Sequence, residues 1–134
     1  MDGEYAVEGV ALPDTLEQLH LLIARVAVDH PEVGAEDLSM LETAVIEIAG
    51  NLIEHGRPPG EVRYTFTLRV HPDRLIAVLS DSGEALPVSL SQPSMPDELT
   101  EDGRGLFLAH AVLDTLDYAR PVEANTWEMT RLRR

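Results

Sequence analysis

The chain has 134 residues, 44% of them hydrophobic and 25% charged, which suits one compact domain spanning residues 1–134. It contains no cysteine and no lysine, so disulfides, thiolate metal sites, a Walker-type lysine and a Schiff-base lysine are excluded. The net charge of −14 argues against binding to a nucleic-acid backbone and favours a basic protein partner. The acidic start and the absence of a long apolar run predict a cytoplasmic protein without a signal peptide or membrane helix.

The first half of the chain predicts one strand and two helices. Residues 5–12 alternate in part and stop at Pro13, which indicates a strand. From Asp14 to His30, apolar residues recur three and four positions apart, which predicts an amphipathic helix. A longer helix is predicted over residues 35–55, and its buried stripe consists of Leu38, Leu41, Val45, Ile48 and Leu52.

The second half predicts two hairpins around a third helix. After a loop at residues 57–60, strands at 62–70 and 75–81 form an antiparallel hairpin. The stretch that follows has no period and is typical of a lid. A helix then opens at Gly103 and runs to about Leu116, and residues 118–120 and 126–132 close the chain as a hairpin. This order predicts an α+β fold whose sheet, mixed or antiparallel, carries its helices on one face.

One polar row lies on the second predicted helix. Glu47, Asn51 and His55 are four residues apart, so they share a face beside the apolar stripe. A carboxylate and an amide on a half-buried face could supply a general base and a metal ligand. The alternative is a solvated polar face that ends in a histidine.

Two further segments could contact a ligand. Asp81-Ser82-Gly83 ends a buried strand, where a carboxylate without an evident structural partner can accept a hydrogen bond from a ligand amine; the alternative is an ordinary turn. Gly103-Arg104-Gly105 begins a helix, where free N–H groups and the arginine favour an anion. The alternative there is an acidic N-cap with loop glycines.

The order of these segments resembles the N, G1 and G2 boxes of the Bergerat ATP-binding fold. That fold is shared by histidine kinases, gyrase-type ATPases and anti-sigma factor serine kinases. The initial strand and the final Trp127-Glu-Met-Thr-Arg-Leu make the chain most similar to the last group, the RsbW-like bacterial anti-sigma kinases. The resemblance covers nearly the whole chain and implies a two-layer α/β sandwich with a mixed sheet.

The resemblance also implies roles for individual residues. Glu47 would be the general base on the partner's serine, and Asn51 would hold Mg²⁺ between the ATP phosphates. Asp81 would bind the adenine amino group, with Gly83 allowing the base to approach. The phosphates would lie against Gly103, Arg104 and Gly105, and residues 82–104 would form the ATP lid. The lid departs from the family pattern, since Glu84-Ala85-Leu86-Pro87 stands where a second glycine is common.

The resemblance implies an ATP-dependent serine/threonine kinase that regulates transcription by partner switching, and it suggests a homodimer. It would bind a sigma factor and phosphorylate a STAS-domain anti-anti-sigma antagonist. A non-catalytic binding module with the same fold is the alternative, and Glu47 beside Asn51 favours the enzyme. The ATP-binding half of a histidine kinase fits less well.

Overall fold

The computed structural model describes residues 3–55, 62–83, 101–121 and 124–134, without the side chains of Glu54, His55 and residues 101–105. The predicted loop at 57–60 and residues 84–100 of the predicted lid therefore lie outside the described residues. The elements in chain order are β1 (Gly3–Val10), α1 (Thr15–Asp29), α2 (Ala35–His55), β2 (Arg63–Val70), β3 (Arg74–Asp81), α3 (Glu101–Val112), β4 (Thr115–Ala119) and β5 (Asn125–Leu132).

The five strands form one sheet in the order β1-β2-β3-β5-β4. The predicted α+β class is confirmed. Every pairing between the described strands is antiparallel, which is one of the two arrangements that the element order predicts and differs from the mixed sheet implied by the resemblance. Two helices in succession separate β1 from β2, and they return the chain to the sheet in the opposite direction. The hairpins β2–β3 and β4–β5 are antiparallel because their connections are short.

The helices cover one face of the sheet. Alternate strand residues are buried, and Phe66, Leu79 and Met129 have no exposed surface. They meet the apolar stripe of α2, where Leu41 and Val45 are also fully buried. The residues between them on each strand are exposed or half-buried, so the other face of the sheet is open. No helix in the described part of the chain is long and apolar enough to span a membrane.

The buried side chain of Arg131 on β5 contacts both α2 and α3. Arg131 Nε donates to Asp37 Oδ1 over 3.1 Å, and both side chains are less than one-tenth exposed. Asp37 lies in the first turn of α2. Arg131 Nη1 also donates to the carbonyl oxygen of Val112, the last residue of α3, over 2.8 Å. One side chain on β5 therefore links the start of α2 to the end of α3.

The third helix differs from its prediction at both ends. It begins at Glu101, two residues before Gly103, and ends at Val112 rather than near Leu116. Leu116 instead pairs with Met129 in the β4–β5 ladder. The helix stops early because the next residues bond to β5: Asp114 N–H donates to Thr130 O, and Asp114 Oδ2 accepts the Leu132 N–H over 2.6 Å.

Candidate functional site

Asp81 ends β3 on the side of the sheet that faces the helices. Its register partners are Tyr64 on β2 and Asn125 on β5, and all three side chains are buried. Burial raises the pKa of the Asp81 carboxyl, although the Asn125 and Gly83 donors and the Arg120 charge act in the opposite direction. The carboxylate is therefore held, partly desolvated, at one end of the sheet.

The sequence predicted no structural partner for Asp81, and this was wrong. Asp81 Oδ1 accepts the Gly83 N–H over 2.8 Å and the Asn125 Nδ2–H over 3.0 Å. Both donors contact the same oxygen. Among the described residues, Oδ2 therefore has no hydrogen-bond donor and can accept one from a ligand.

Three residues of the closing hairpin, which the sequence did not single out, surround this turn. Arg120 Nη1 donates to Gly83 O and to Asn125 Oδ1, over 2.9 Å in each case, and Tyr118 OH donates to the same Asn125 oxygen. No sequence signal pointed to them, because Arg120 and Asn125 are 37 and 44 residues away from the groups they hold.

Asn51 is more buried than its place in a polar row suggested. It is 8% exposed, and its Nδ2 is buried without a hydrogen-bond partner among the described residues. An orphaned donor of this kind costs about 1–3 kcal/mol. Glu47, one helical turn before Asn51, is half-buried. A Cβ atom added at Gly50, the neighbour of Asn51, would have no atom within 4 Å. The backbone beside Asn51 thus has open space.

Glu47 also borders a groove between α1 and α2. The groove has a volume of about 340 Å³ and is lined by His20, Ser39, Glu42, Thr43, Ile46 and Glu47. His20 Nδ1 lies 2.6 Å from Glu42 Oε1, and this carboxylate raises the pKa of the exposed imidazole. A side chain of a bound protein could therefore approach Glu47 from this groove.

A larger cavity, of about 550 Å³, borders the same end of the sheet as Asp81. Several of its lining residues, including Glu8, Thr65 and Ser80, form a cross-strand row on the open face. That face is opposite the helix layer that carries Asn51. Its lining also includes Asp81, Tyr64 and Ser82, so the cavity extends from the open face to one of the predicted site residues.

Gly103, Arg104 and Gly105 lie in the first turns of α3. The first backbone N–H groups of a helix have no acceptor within it, which suits an anion. Helix α3 packs against α2, and Leu106 and Ala109 are buried in the core. The fold thus places the helix that carries these three residues beside the helix that carries Glu47 and Asn51.

These residues fit a Mg²⁺-nucleotide. Among the described residues no cluster of three or more His, Asp or Glu side chains could hold a metal by itself. A magnesium ion usually binds few protein ligands and completes its shell with phosphates and water. The side-chain oxygen of the buried Asn51 can be such a ligand, and its Nδ2, which has no acceptor among the described residues, can donate to a phosphate oxygen.

Comparisons with known proteins identify the family and the fold. Residues 10–131 match the model of a histidine kinase-like ATPase domain. A solved structure of the RsbU and RsbW domains of Rv1364c from Mycobacterium tuberculosis aligns with a TM-score of 0.69 and 15% identity, covering 98% of this chain and 33% of that one. This chain therefore spans about a third of the length of that protein.

The catalytic domain of histidine kinase ThkA, in a nucleotide-free form, aligns with a TM-score of 0.57 and 12% identity, covering 96% of this chain and 97% of that one. No curated protein sequence matches the chain. At these identities the structural alignments establish the fold, whereas the family model covers most of the chain. The chain belongs to the histidine kinase-like ATPase domain family.

Proposed function

We propose that the protein is an ATP-dependent regulatory serine/threonine kinase of the anti-sigma type. The observation that carries the proposal is the buried Asn51 amide, whose Nδ2 has no acceptor among the described residues, one helical turn from the half-buried Glu47. An amide N–H with no acceptor in the described part of the chain suits an acceptor atom of a ligand, such as a phosphate oxygen, and a nearby carboxylate suits proton transfer.

Each residue of the site has a proposed task. Bound Mg²⁺-ATP supplies the phosphoryl group and the metal charge that stabilises its transfer. Asn51 would hold the Mg²⁺ through its side-chain oxygen, with Nδ2 free to donate to a phosphate, and Asp81 Oδ2 accepts a hydrogen bond from the adenine amino group beside Gly83. The phosphates lie against Gly103, Arg104 and Gly105, with residues 82–104 as the lid. Glu47 accepts the proton of a serine hydroxyl presented by the protein substrate.

The proposed partners are a sigma factor and a STAS-domain anti-anti-sigma protein. Two observations support them: the fold likeness to a chain that contains RsbU and RsbW domains, and the net charge of −14, which suits a basic partner. We further propose that the kinase acts in the cytoplasm as a homodimer and binds neither nucleic acid nor membrane.

Single-turnover transfer of phosphate to a candidate STAS protein, read by intact-mass spectrometry, tests this function. General-base catalysis contributes about 10²–10⁴-fold, so Glu47→Gln should lower the rate by that factor and leave ATP affinity unchanged. Glu36→Gln is the matched control, because it removes the same charge from an exposed position on α2. Wild-type transfer by Glu47→Gln would remove Glu47 as the base.

The second candidate is a non-catalytic partner-binding module with the same fold. Two sequence features favour this module, because both weaken the binding of phosphates. The chain has no lysine, and Asp-x-Gly is followed by Glu84-Ala85-Leu86-Pro87. The same assay separates the two functions. Tight binding of the STAS protein or the sigma factor without phosphate transfer by the wild type would identify the module.

A further inference from the structure

The end of the closing hairpin reaches across to the turn that carries Asp81. Arg120 follows β4 and is half-buried, and Asn125 begins β5 and is 3% exposed. Both contact the backbone oxygen of Gly83, Arg120 over 2.9 Å and Asn125 Nδ2 over 3.4 Å. The hairpin therefore holds the turn at its carbonyl as well as at the Asp81 side chain.

These contacts fix which way the Asn125 amide points. A guanidinium group can only donate, so the Asn125 atom 2.9 Å from Arg120 Nη1 must be the oxygen. Tyr118 OH donates to the same oxygen. The amide nitrogen must consequently face the other way, toward Asp81 Oδ1 at 3.0 Å.

The orientation of Asn125 decides which Asp81 oxygen is available. Oδ1 accepts two hydrogen bonds, from Asn125 and from Gly83 N–H. Oδ2 is left with no donor among the described residues, and a carboxylate oxygen in a buried site accepts hydrogen bonds only. A base with an amino group can satisfy it, whereas a base with a carbonyl at that position would be repelled.

We propose that Arg120 and Asn125 are positioning residues for nucleobase selection, which turn Asp81 Oδ2 toward the amino group of the base. Arg120 acts through Asn125 and through Gly83 O, and its charge also favours the ionised carboxylate that this recognition requires. The inference rests on the proposed function, because it concerns the same nucleotide site.

Among the residues that the structure describes, few charged or titratable groups surround the Asp81 carboxyl. Tyr64 faces it from β2, with its hydroxyl donating to Gln18 on α1 over 2.8 Å. Arg120 approaches from the end of β4, and Tyr118 acts through Asn125. Arg63, next to Tyr64 on β2, is exposed and points to the opposite face of the sheet. The test therefore has to separate two influences on the pKa of Asp81, its burial and the charge of Arg120.

The test is calorimetric titration of ATP and of inosine triphosphate, which carries a carbonyl in place of the amino group, against pH. The variant Arg120→Gln should bind ATP at least fivefold more weakly and inosine triphosphate as well as the wild type does. Its ATP affinity should also begin to fall at a higher pH on acidification, because loss of the guanidinium raises the pKa of Asp81. Arg120→Lys restores the charge, so the pH at which ATP affinity begins to fall (the acid limb) should return toward the wild-type value.

Arg133→Gln is the matched control. Arg133 Nη1 also donates to a backbone carbonyl over 2.9 Å, that of His71, at the opposite end of β3. This variant loses the same charge and should bind both nucleotides as the wild type does. If Arg120→Gln does not melt cooperatively, Tyr118→Phe replaces it, since it removes one donor to Asn125 and should lower the ATP preference in the same direction.

The outcomes separate this inference from the proposed function. A folded Arg120→Gln variant that keeps the wild-type preference for ATP and the wild-type acid limb would overturn the positioning role, while leaving the ATP site in place. A wild-type protein that binds neither nucleotide would overturn both. A loss of affinity equal for the two nucleotides would show that Arg120 only supports the fold.

Discussion

At the scale of single residues, the site contains polar groups whose burial costs stability. Asn51 Nδ2 is buried without a partner in the part of the chain that the structure describes, and burial raises the pKa of Asp81. A carboxyl whose pKa is raised on folding stabilises the fold most below its unfolded pKa, near 3.8, and loses that contribution as the pH rises through the folded pKa. Ionised Asp81 therefore opposes folding at neutral pH, and such a cost is typical of a functional group.

Asp81→Asn should separate stability from binding. The new amide can keep its oxygen toward Gly83 and Asn125, and its NH₂ then replaces Oδ2 and opposes the amino group of the base. A charge-assisted hydrogen bond contributes about 1.5–3 kcal/mol, so ATP should bind roughly tenfold to a hundredfold more weakly. At pH 7 the variant should be at least as stable as the wild type in urea, and the difference should shrink below pH 4. Wild-type ATP affinity in this variant would make Asp81 a turn residue only.

Residue types and spacing predicted part of the site. Glu47 and Asn51 stood out as a row on one helix, and Asp81 stood out at the end of a buried strand. The burial of Asn51 could not be read from that row, because it depends on what packs over α2. Arg120 and Asn125 could not be predicted either, since their partners come from a different hairpin.

At the scale of elements, hydrophobic period predicted the kind and order of the described strands and helices, although β1 and β4 have other bounds than the predicted 5–12 and 118–120. The bounds of α2 agree with the prediction at both ends, because a long amphipathic stripe and a terminal His55-Gly56 mark it. The end of α3 was wrong by four residues, because Asp114 and Arg131 form tertiary hydrogen bonds that stop it at Val112. The sequence around the end of the helix does not show these hydrogen bonds, because they join residues that are far apart in the chain.

The ion pair between β5 and α2 should be important for stability. Removing one partner of a buried pair leaves an uncompensated charge, so Arg131→Gln should lower the free energy of unfolding by about 3–5 kcal/mol. The control is Arg25→Gln, which breaks an exposed pair with Asp29 (3.3 Å) and should change stability by about 0.5 kcal/mol or less. Urea denaturation measures both. A loss below about 1 kcal/mol in Arg131→Gln would show that the pair does not fix α2 to the sheet.

At the scale of the whole molecule, the net charge of −14 repels the phosphates of a nucleotide, so binding requires positive charge close to them. With no lysine, positive charge near phosphate can come only from arginine, from helix N–H groups or from a metal ion. The fold places α3, with Gly103, Arg104 and Gly105, beside α2, with Asn51. We therefore expect nucleotide to bind this chain with Mg²⁺ far more tightly than without it.

The most direct test of an ATP site between these helices is urea denaturation with and without Mg²⁺-ATP. Nucleotide at 100 times its Kd should add about 2.7 kcal/mol to the free energy of unfolding of the wild type. Asn51→Leu removes the orphaned amide, so it should fold at least as stably as the wild type and gain nothing from Mg²⁺-ATP. An unchanged unfolding midpoint of the wild type in millimolar Mg²⁺-ATP, or an equal gain in Asn51→Leu, would contradict the account.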